Sequence, residues 1–463
     1  MGQTLGDVLC DRWGDDWLIG PSSPDFWGRC QHLAPVFAAY RESGGASRAG
    51  VLIAESDPLQ FLAACLTAWA EGCTPVLANP GWGQRERRQV QAMVNGDWET
   101  AICPGLGAYR CQGLGAGPGQ ILIPTGGSSG QVKFAVHTWE TLMTAVEGFC
   151  AHFGVGQAHA CCVLPLFHVS GLMQALRVLA TGGQLALQSY GDLKTGERLA
   201  LPPGGFLSLV PTQLQTLLTL DQEFIPWLQS FRAVLLGGAP AWRSLLDQAQ
   251  AAQIPVALTY GMTETAAQVA TLLPEEFLAG HRSSGRPLPH AELSILNNQN
   301  QPQPAGQPGQ LVIRSASLAR GYLQPAGFQA AEDDLATDDI GYLDGAGYLH
   351  IVGRSSTKLI TGGENVFPEE IEAALLAIAG VTDACVVGLP CDRWGQQLCA
   401  LVVMDAQTSL EALPEQLRSR VAPHKLPKRW ILASAIPRTP QGKVSRPKAL
   451  ALAQRVLGMD NPG

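Results

Sequence analysis

Residues 121–138 read ILIPTGGSSGQVKFAVHT, in which an apolar run breaks into glycines and hydroxyls and then resumes. Val, Phe and Val at positions 132, 134 and 136 alternate with Lys133, Ala135 and His137. This alternation is the period of a β-strand. The stretch therefore predicts a strand, a loop of glycines and hydroxyls, and a second strand.

The loop between these strands has three possible interpretations. Residues 126–130 match G-x-S-x-G, the nucleophile elbow of α/β-hydrolases, in which Ser128 would be the nucleophile. The loop could also be an anion cradle of backbone N–H groups, hydroxyls and Lys133, or only a β-turn. An elbow turns from a strand into a helix, whereas a second strand follows here, so the pattern favours a loop that closes over phosphates. The other motifs must decide.

Composition limits the class of protein. The 463 residues are 46% hydrophobic and 15% charged, which is typical of a globular chain long enough for more than one domain. The net charge of −8 argues against nucleic acid as a partner. Twelve cysteines without a C-x-x-C pattern predict free thiols in a reducing compartment. The N-terminus lacks a signal pattern and the apolar runs are too short for a membrane span, so we expect a cytoplasmic protein.

Short apolar runs that close on turns alternate with helix-like stretches over most of the chain, as in GVLIAES (50–56) followed by PLQFLAACLTAWAEG (58–72). This alternation predicts a large α/β part with parallel-type sheets, whose ligands bind in loops beyond the strand ends. After about residue 285, alternating strands predict a β-rich meander. A new unit begins at Arg354, and its helix PEEIEAALLAI starts at Pro368. We therefore expect domains at 1–353 and 354–463, the second a small α+β domain.

Six further motifs occur in a fixed order along the chain. They are PLFHVSG (165–171), LLGGAP (235–240), TYGMTET (259–265), TDDIGYLD (337–344), GRSSTKLITGGENVFPEEIE (353–372) and PRTPQGKVSR (437–446). With the loop at 125–133, this set resembles the adenylate-forming superfamily of acyl-CoA synthetases, peptide-synthetase adenylation domains and luciferases. The resemblance runs from about residue 120 to 446. Residues 1–110 match only in the general alternation of apolar runs and helix-like stretches. Within the superfamily, the motifs most resemble the o-succinylbenzoate–CoA ligases of menaquinone and phylloquinone biosynthesis.

The resemblance implies a two-step reaction that uses ATP, Mg²⁺ and coenzyme A. A small-molecule carboxylic acid attacks the α-phosphate of ATP to give an acyl-adenylate, and the CoA thiol then displaces AMP. The alternatives are another aryl- or acyl-CoA ligase, a stand-alone adenylation enzyme and, remotely, a hydrolase that uses Ser128. The resemblance also implies that the C-terminal domain is mobile.

The resemblance assigns roles to residues at the matching positions. Lys443 is the expected catalytic lysine at the α-phosphate, and Glu264 the expected Mg²⁺ carboxylate, although an acid after Thr263 could also simply cap a helix. Asp339 is expected to hold the ribose. The remaining residues of the implied ATP and AMP site are Thr125, Gly126, Gly127, Ser128, Ser129, Gly130, Lys133, Gly238, Ala239, Pro240, Tyr260, Gly261, Met262, Thr263 and Arg354.

The acyl pocket and the CoA channel are implied in the same way. His168 is expected to be a catalytic residue that borders both the pocket and the thioester path, and Gly362 and Gly363 are expected to line the CoA channel. The benzoate carboxylate of o-succinylbenzoate must stay in the pocket, so the pocket should supply a cation or several hydrogen-bond donors. The candidate donors are His168, Ser170, Thr212, Gln213, Thr263 and Thr265.

The chain departs from the family pattern at three positions. Val132 stands where a proline usually precedes the loop lysine, and Asp338 stands where the family has glycine. Because of the second change, either Asp338 or Asp339 could be the acid of the ribose site. Thr357 replaces a common hinge aspartate.

Overall fold

The computed structural model describes residues 3–43, 49–94, 102, 106–111, 119–126, 131–220, 223–361, 364–391, 395–438 and 444–459. The chain divides into two compact units. The large unit comprises Met1–Gly238, Gln253–Leu293 and Ile313–Leu335, and the small unit comprises Ala239–Ala252, Ser294–Val312 and Ala336–Gly463. The domain boundary that the sequence suggests at residue 353 stays a prediction.

The helices begin and end at the following residues: α1 Leu5–Asp11, α2 Ser23–Ser43, α3 Pro58–Ala70, α4 Gln84–Val94, α5 Trp139–Phe153, α6 Val169–Thr181, α7 Tyr190–Lys194, α8 Pro211–Leu220, α9 Phe224–Gln229, α10 Arg243–Ala251, α11 Pro274–Leu278, α12 Pro368–Leu376, α13 Leu413–Arg418 and α14 Arg446–Val456. In the described residues, no helix is both long and apolar enough to cross a membrane.

The strands are β1 Leu18–Ile19, β2 Gly50–Ile53, β3 Thr74–Leu77, β4 Ala108–Cys111, β5 Gln120–Gly126, β6 Val132–Thr138, β7 Ala160–Cys162, β8 Leu185–Leu187, β9 Phe206–Leu209, β10 Ala233–Leu236, β11 Val256–Met262, β12 Ala267–Thr271, β13 Arg286–Pro287, β14 Ala291–Leu296, β15 Gly309–Ser315, β16 Gly321–Gln324, β17 Gly327–Ala330, β18 Asp334–Leu343, β19 Leu349–Arg354, β20 Leu359–Thr361, β21 Glu364–Val366, β22 Val381–Cys391, β23 Gly395–Met404 and β24 Arg429–Leu432.

The predicted strand–loop–strand at residue 121 is confirmed. Strands β5 and β6 pair antiparallel, with Thr125 opposite Lys133, inside a seven-stranded sheet of order β17-β16-β6-β5-β3-β2-β4. Because the chain enters a strand at Val132 and not a helix, the segment is not the strand-to-helix turn of a hydrolase nucleophile. Buried side chains such as Leu122 and Phe134 form the core beneath this sheet.

The second sheet of the large unit has eight strands in the order β1-β8-β7-β9-β10-β11-β12-β13. The first six strands in this order, β1-β8-β7-β9-β10-β11, pair in parallel. Strand β12 pairs antiparallel with β11, and β13 pairs antiparallel with β12. The buried and, apart from Ser208, apolar residues along β9 and β10 are typical of a sheet covered on both faces. The predicted α/β class is thereby confirmed.

Strands β14, β15, β18 and β19 form a four-stranded sheet in that order. In the small unit, β21, β20, β23 and β22 form a further sheet, and β24 pairs in parallel with β23. Helix α12 starts at Pro368 as predicted, with two glutamates in its first turn, where the helix dipole favours negative charge.

Two arginines near the C-terminus are anchored within the small unit. The Arg446 guanidinium bonds to Glu369 at 2.9 Å and to Glu372 at 3.0 Å, and it also donates to the Val386 carbonyl. Arg438 pairs with Asp383 at 2.7 Å, and its backbone forms an isolated antiparallel bridge with Val444. Arg438 and Val444 are therefore held within the small unit.

Candidate active site

Glu264 sits on a tight turn at the end of β11. The turn covers Thr263–Thr265, and the following Ala266 and Ala267 have positive φ angles of 54° and 91°. Residues other than glycine rarely adopt positive φ angles, so the backbone of this turn is strained. Such strain is common at functional sites. The Thr265 hydroxyl accepts a hydrogen bond from the Met262 N–H at 3.0 Å, which holds the turn closed.

Two hydroxyl groups bind the Glu264 carboxylate. The Tyr322 hydroxyl on β16 donates to Oε1 at 3.0 Å, and the Thr125 hydroxyl at the end of β5 lies 3.4 Å from the same oxygen. The ammonium group of Lys133 lies 5.9 Å from the centre of the Tyr322 ring. Burial and the nearby carboxylate raise the pKa of Tyr322, so its phenol keeps the proton that it donates. The predicted residues Thr125, Lys133 and Glu264 therefore lie together.

This arrangement suits a Mg²⁺ ion bound together with phosphates. Mg²⁺ is commonly held by one or two carboxylates, substrate phosphates and waters, not by a cage of protein ligands. The described residues contain no group of three or more His, Cys, Asp or Glu residues placed to hold a metal. Glu264 is a single half-buried carboxylate with one oxygen held by hydroxyls. It therefore fits a site in which substrate phosphates and waters complete the coordination of Mg²⁺.

His137 holds the backbone of the Glu264 turn by a hydrogen bond. Its Nε2 lies 2.8 Å from the Thr263 carbonyl and its Nδ1 lies 3.0 Å from the Thr141 hydroxyl. Because a carbonyl can only accept, Nε2 carries the proton and Nδ1 is the acceptor. Burial lowers the pKa of His137 to about 4, so the ring is neutral near pH 7. Sequence reasoning missed this role, since His137 is 126 residues from its partner Thr263.

In the small unit, Asp339 and Arg354 are opposite each other on β18 and β19. Arg354 Nε donates to Asp339 Oδ1 at 3.0 Å, and Asp339 is only 6% exposed. The exposed Asp338 instead accepts hydrogen bonds from the backbone N–H and the hydroxyl of Ser356. The acid that pairs with Arg354 is therefore Asp339. The hydroxyl of Thr357, at the usual aspartate position, donates to Glu369 at 3.0 Å.

The predicted pocket donors differ in what their side chains already bind. His168 is the residue before α6, and its ring packs 4.6 Å from that of Phe167, while Ser170 and Thr212 are exposed in the first turns of α6 and α8. Thr265 is fully buried and its hydroxyl is used within its own turn. The Gln213 side chain accepts from the Val210 N–H. The latter two side chains thus hold local structure.

The other predicted residues lie as follows. Tyr260, Gly261 and Met262 are on β11, and a Cβ on Gly261 would lie 2.0 Å from the Ala267 carbonyl oxygen, so only glycine fits there. Gly238 has a φ of 78° after β10, and the exposed residues Ala239 and Pro240 follow it. Gly126 ends β5. Outside the described residues lie Gly127, Ser128, Ser129, Gly130, Gly362, Gly363 and Lys443.

A buried arginine contacts β12, the strand that follows the Glu264 turn, and the sequence analysis did not predict it. Arg177 on α6 is 5% exposed, and its Nη2 donates to Gln268 Oε1 at 2.8 Å. Gln268 lies on β12, opposite Gly261 and four residues after Glu264. The guanidinium also lies 4.1 Å from the centre of the Phe149 ring. The signal was available, since Arg177 is the single charged residue in the helix VSGLMQALRVLAT.

Comparisons with known proteins agree with this geometry. Residues 120–323 match the AMP-binding enzyme family and residues 370–443 match the AMP-binding enzyme C-terminal domain. The 2-succinylbenzoate–CoA ligase of Enterococcus faecalis is 34% identical over 331 residues, which cover 70% of this chain and 68% of that enzyme.

Two solved structures of o-succinylbenzoate CoA synthetase (MenE) from Bacillus subtilis share the fold. The complex with the acyl-adenylate intermediate OSB-AMP has a TM-score of 0.79 at 24% identity, covering 96% of this chain and 97% of that chain. The complex with ATP and magnesium has a TM-score of 0.77 at 24% identity, covering 95% and 98%. The resemblance drawn from the motifs is confirmed. The chain belongs to the adenylate-forming AMP-binding enzymes, in the family of the 2-succinylbenzoate–CoA ligases.

Proposed function

We propose that this protein is an ATP- and Mg²⁺-dependent ligase that converts o-succinylbenzoate into its CoA thioester, a step of menaquinone or phylloquinone biosynthesis. The observation that carries the proposal is the Glu264 carboxylate, held by Thr125 and Tyr322 beside Lys133. The E. faecalis relative bears the name of the same activity.

In the first half-reaction, a carboxylate oxygen of the acid attacks the α-phosphorus of ATP, and pyrophosphate leaves. Negative charge gathers on the phosphate oxygens, so the protein acts mainly by positioning and by electrostatic stabilisation. Lys133 and the loop that begins at Thr125 would bind the β- and γ-phosphates. Glu264 would hold Mg²⁺, which neutralises phosphate charge when bound. Asp339, kept in place by Arg354, would accept hydrogen bonds from the ribose hydroxyls.

Arg177 is the candidate partner of the benzoate carboxylate, which does not react. Burying that carboxylate without a cation or several donors would be costly. Burial lowers the pKa of Arg177 to about 10, so the guanidinium stays charged at neutral pH. Its position beside β12, the strand that follows the Glu264 turn, supports a role in the acyl pocket. His168, Ser170 and Thr212 would line the rest of the pocket.

In the second half-reaction, the CoA thiol attacks the acyl carbon of the adenylate and AMP leaves. We assign the CoA path to Gly362 and Gly363, and the contact with the α-phosphate in the first half-reaction to Lys443. These assignments rest on the motifs GGEN and PRTPQGK. We also propose a cytoplasmic location, because ATP and CoA are intracellular substrates.

A pyrophosphate-release assay tests the proposal. The enzyme is given ATP, Mg²⁺ and o-succinylbenzoate, 4-oxo-4-phenylbutanoate or a medium-chain fatty acid, each with and without CoA. We expect a kcat/KM on the order of 10²-fold higher for o-succinylbenzoate than for the analogue without the benzoate carboxylate, because unpaired polar groups penalise the analogue. Comparable use of the analogue, or a preference for the fatty acid, would indicate another acyl-CoA ligase. Thioester formation in the presence of CoA separates a CoA ligase from a stand-alone adenylation enzyme.

A further inference from the structure

The partner of Arg177 is unusual for a buried cation. Arg12, Arg177 and Asp339 are the buried charged side chains in the part of the chain that the structure describes. Arg12 pairs with Asp15 at 2.8 Å and Asp339 pairs with Arg354 at 3.0 Å. Arg177 has a neutral amide, Gln268, in place of a carboxylate. Its positive charge is therefore oriented but not neutralised.

The surroundings of Arg177 leave further polar atoms unused. Among the described residues, Arg177 Nε, Gln268 Nε2 and both ring nitrogens of His290 have no hydrogen-bond partner. Buried polar atoms are nearly always bonded, so a cluster of unused ones indicates a place where a polar ligand or water binds. Their donors are concentrated beside a cation, which favours an anion.

His290 adds no charge of its own beside Arg177. Burial, and next the positive charge of Arg177, lower the pKa of His290 to about 4, so its ring is neutral at pH 7. A Cβ on Gly148 of α5 would lie 1.8 Å from His290 Nδ1, so the missing side chain at position 148 makes room for the ring. The cluster thus carries one net positive charge among neutral groups.

We propose that Gln268 is a specificity-determining positioning residue, whose neutral amide orients Arg177 while leaving its charge available to a second carboxylate on the acid substrate. This inference rests on the proposed function, because it assumes that the ligand of Arg177 is the carboxylate that does not react. A glutamate at position 268 would have nearly the same shape and would occupy Arg177 itself. The amide therefore selects a diacid over a monoacid of the same size.

The test compares Gln268→Glu with Gln268→Met. The glutamate variant keeps a partner for Arg177 but neutralises it, whereas the methionine variant removes the bond and keeps the charge available. For Gln268→Glu we expect KM for o-succinylbenzoate to rise on the order of 10²-fold, because the pocket no longer offers an unpaired cation. For Gln268→Met we expect a smaller rise, on the order of tenfold, because only the orientation is lost. In both variants kcat should change less than KM.

The monoacid 4-oxo-4-phenylbutanoate separates a positioning role from a merely structural one. A structural role would lower kcat/KM for both acids and leave the preference for the diacid unchanged. With Gln268→Glu, its kcat/KM should stay close to the wild-type value, so the preference for the diacid collapses. The matched control is Gln184→Glu, since Gln184 is a half-buried glutamine of the same unit that bonds the Asp16 carbonyl. This control should keep the wild-type preference.

Three results would overturn the proposal. They are equal losses on both acids, an unchanged preference in Gln268→Glu, and a larger loss in Gln268→Met than in Gln268→Glu. If Gln268→Glu does not fold, the methionine variant decides, because an unchanged KM for the diacid contradicts a positioning role. Failure of the proposed function is distinguished by the wild-type enzyme, which would then show no preference for o-succinylbenzoate before any substitution.

Discussion

Replacing Tyr322 by phenylalanine should weaken the use of Mg²⁺ in adenylate formation. The change removes the 3.0 Å hydrogen bond from the phenol to Glu264 and leaves the ring under Lys133 in place. A hydrogen bond to a charged group contributes about 1.5–3 kcal/mol. At about 1.4 kcal/mol for each factor of ten, losing the whole of it would lower kcat/KM by roughly 10- to 150-fold. The 3.4 Å contact from Thr125 remains, so we expect a value near the lower end.

The assay follows pyrophosphate release at increasing Mg²⁺ concentration. In Tyr322→Phe, the concentration of Mg²⁺ for half-maximal rate should rise, while thioester formation from pre-made acyl-adenylate should change little. Tyr40→Phe is the control, because the hydroxyl of this buried tyrosine bonds to the backbone carbonyls of Gly50 and Cys111 and not to a carboxylate in the described residues. An unchanged Mg²⁺ dependence in Tyr322→Phe, or an equal loss in both half-reactions, would refute the reasoning.

Two further predictions concern the groups that hold the site in place. The pKa of His137 is lowered from 6.5 to about 4, so the native state binds fewer protons than the unfolded state between these values. Its contribution to stability is therefore complete above pH 6.5 and is lost as pH falls towards 4, by on the order of 3 kcal/mol. Urea unfolding of His137→Gln should show a correspondingly weaker dependence on pH in that range, and an identical dependence would contradict a buried neutral histidine. Asp339→Asn should raise Kd for AMP roughly 10-fold or more in calorimetric titration, since a carboxylate accepts stronger hydrogen bonds than an amide. Asp334→Asn, which breaks the surface pair with Arg314, should leave Kd unchanged, and similar effects of both variants would argue against the ribose role.

The sequence predicts well the strands that carry the candidate site. Periodicity alone predicted the strands on either side of residues 127–130, and both are confirmed. The order of the motifs singled out Glu264 and Arg354, whose roles in binding Mg²⁺ and the nucleotide stay predictions. It left open which of two adjacent acids faces Arg354, because neighbours on a strand point to opposite faces and the register of β18 on β19 decides. That register was not available from the motif TDDIG.

The residues that sequence reasoning missed act across long separations. Tyr322 is 58 residues from Glu264, and Arg177 is 91 residues from Gln268. Neither forms a local pattern with its partner, and a lone tyrosine or arginine is consistent with many roles. Two predicted pocket donors, Gln213 and Thr265, have hydrogen bonds to local backbone, and their role in the pocket stays a prediction. A hydroxyl or amide near a motif can satisfy either a ligand or its own turn, and only coordinates distinguish the two.

The contacts of residues 438 and 444–446 attach the ends of one motif to distant parts of the small unit. Val444 is bridged to Arg438, which is itself paired with Asp383, and Arg446 is held between Glu369 and Glu372. Asp383 lies on β22, and the two glutamates lie on α12. Three ion pairs therefore connect the described residues of the motif PRTPQGKVSR to β22 and α12. A substitution at Asp383 or Glu372 would disturb this motif without changing any residue of the motif itself.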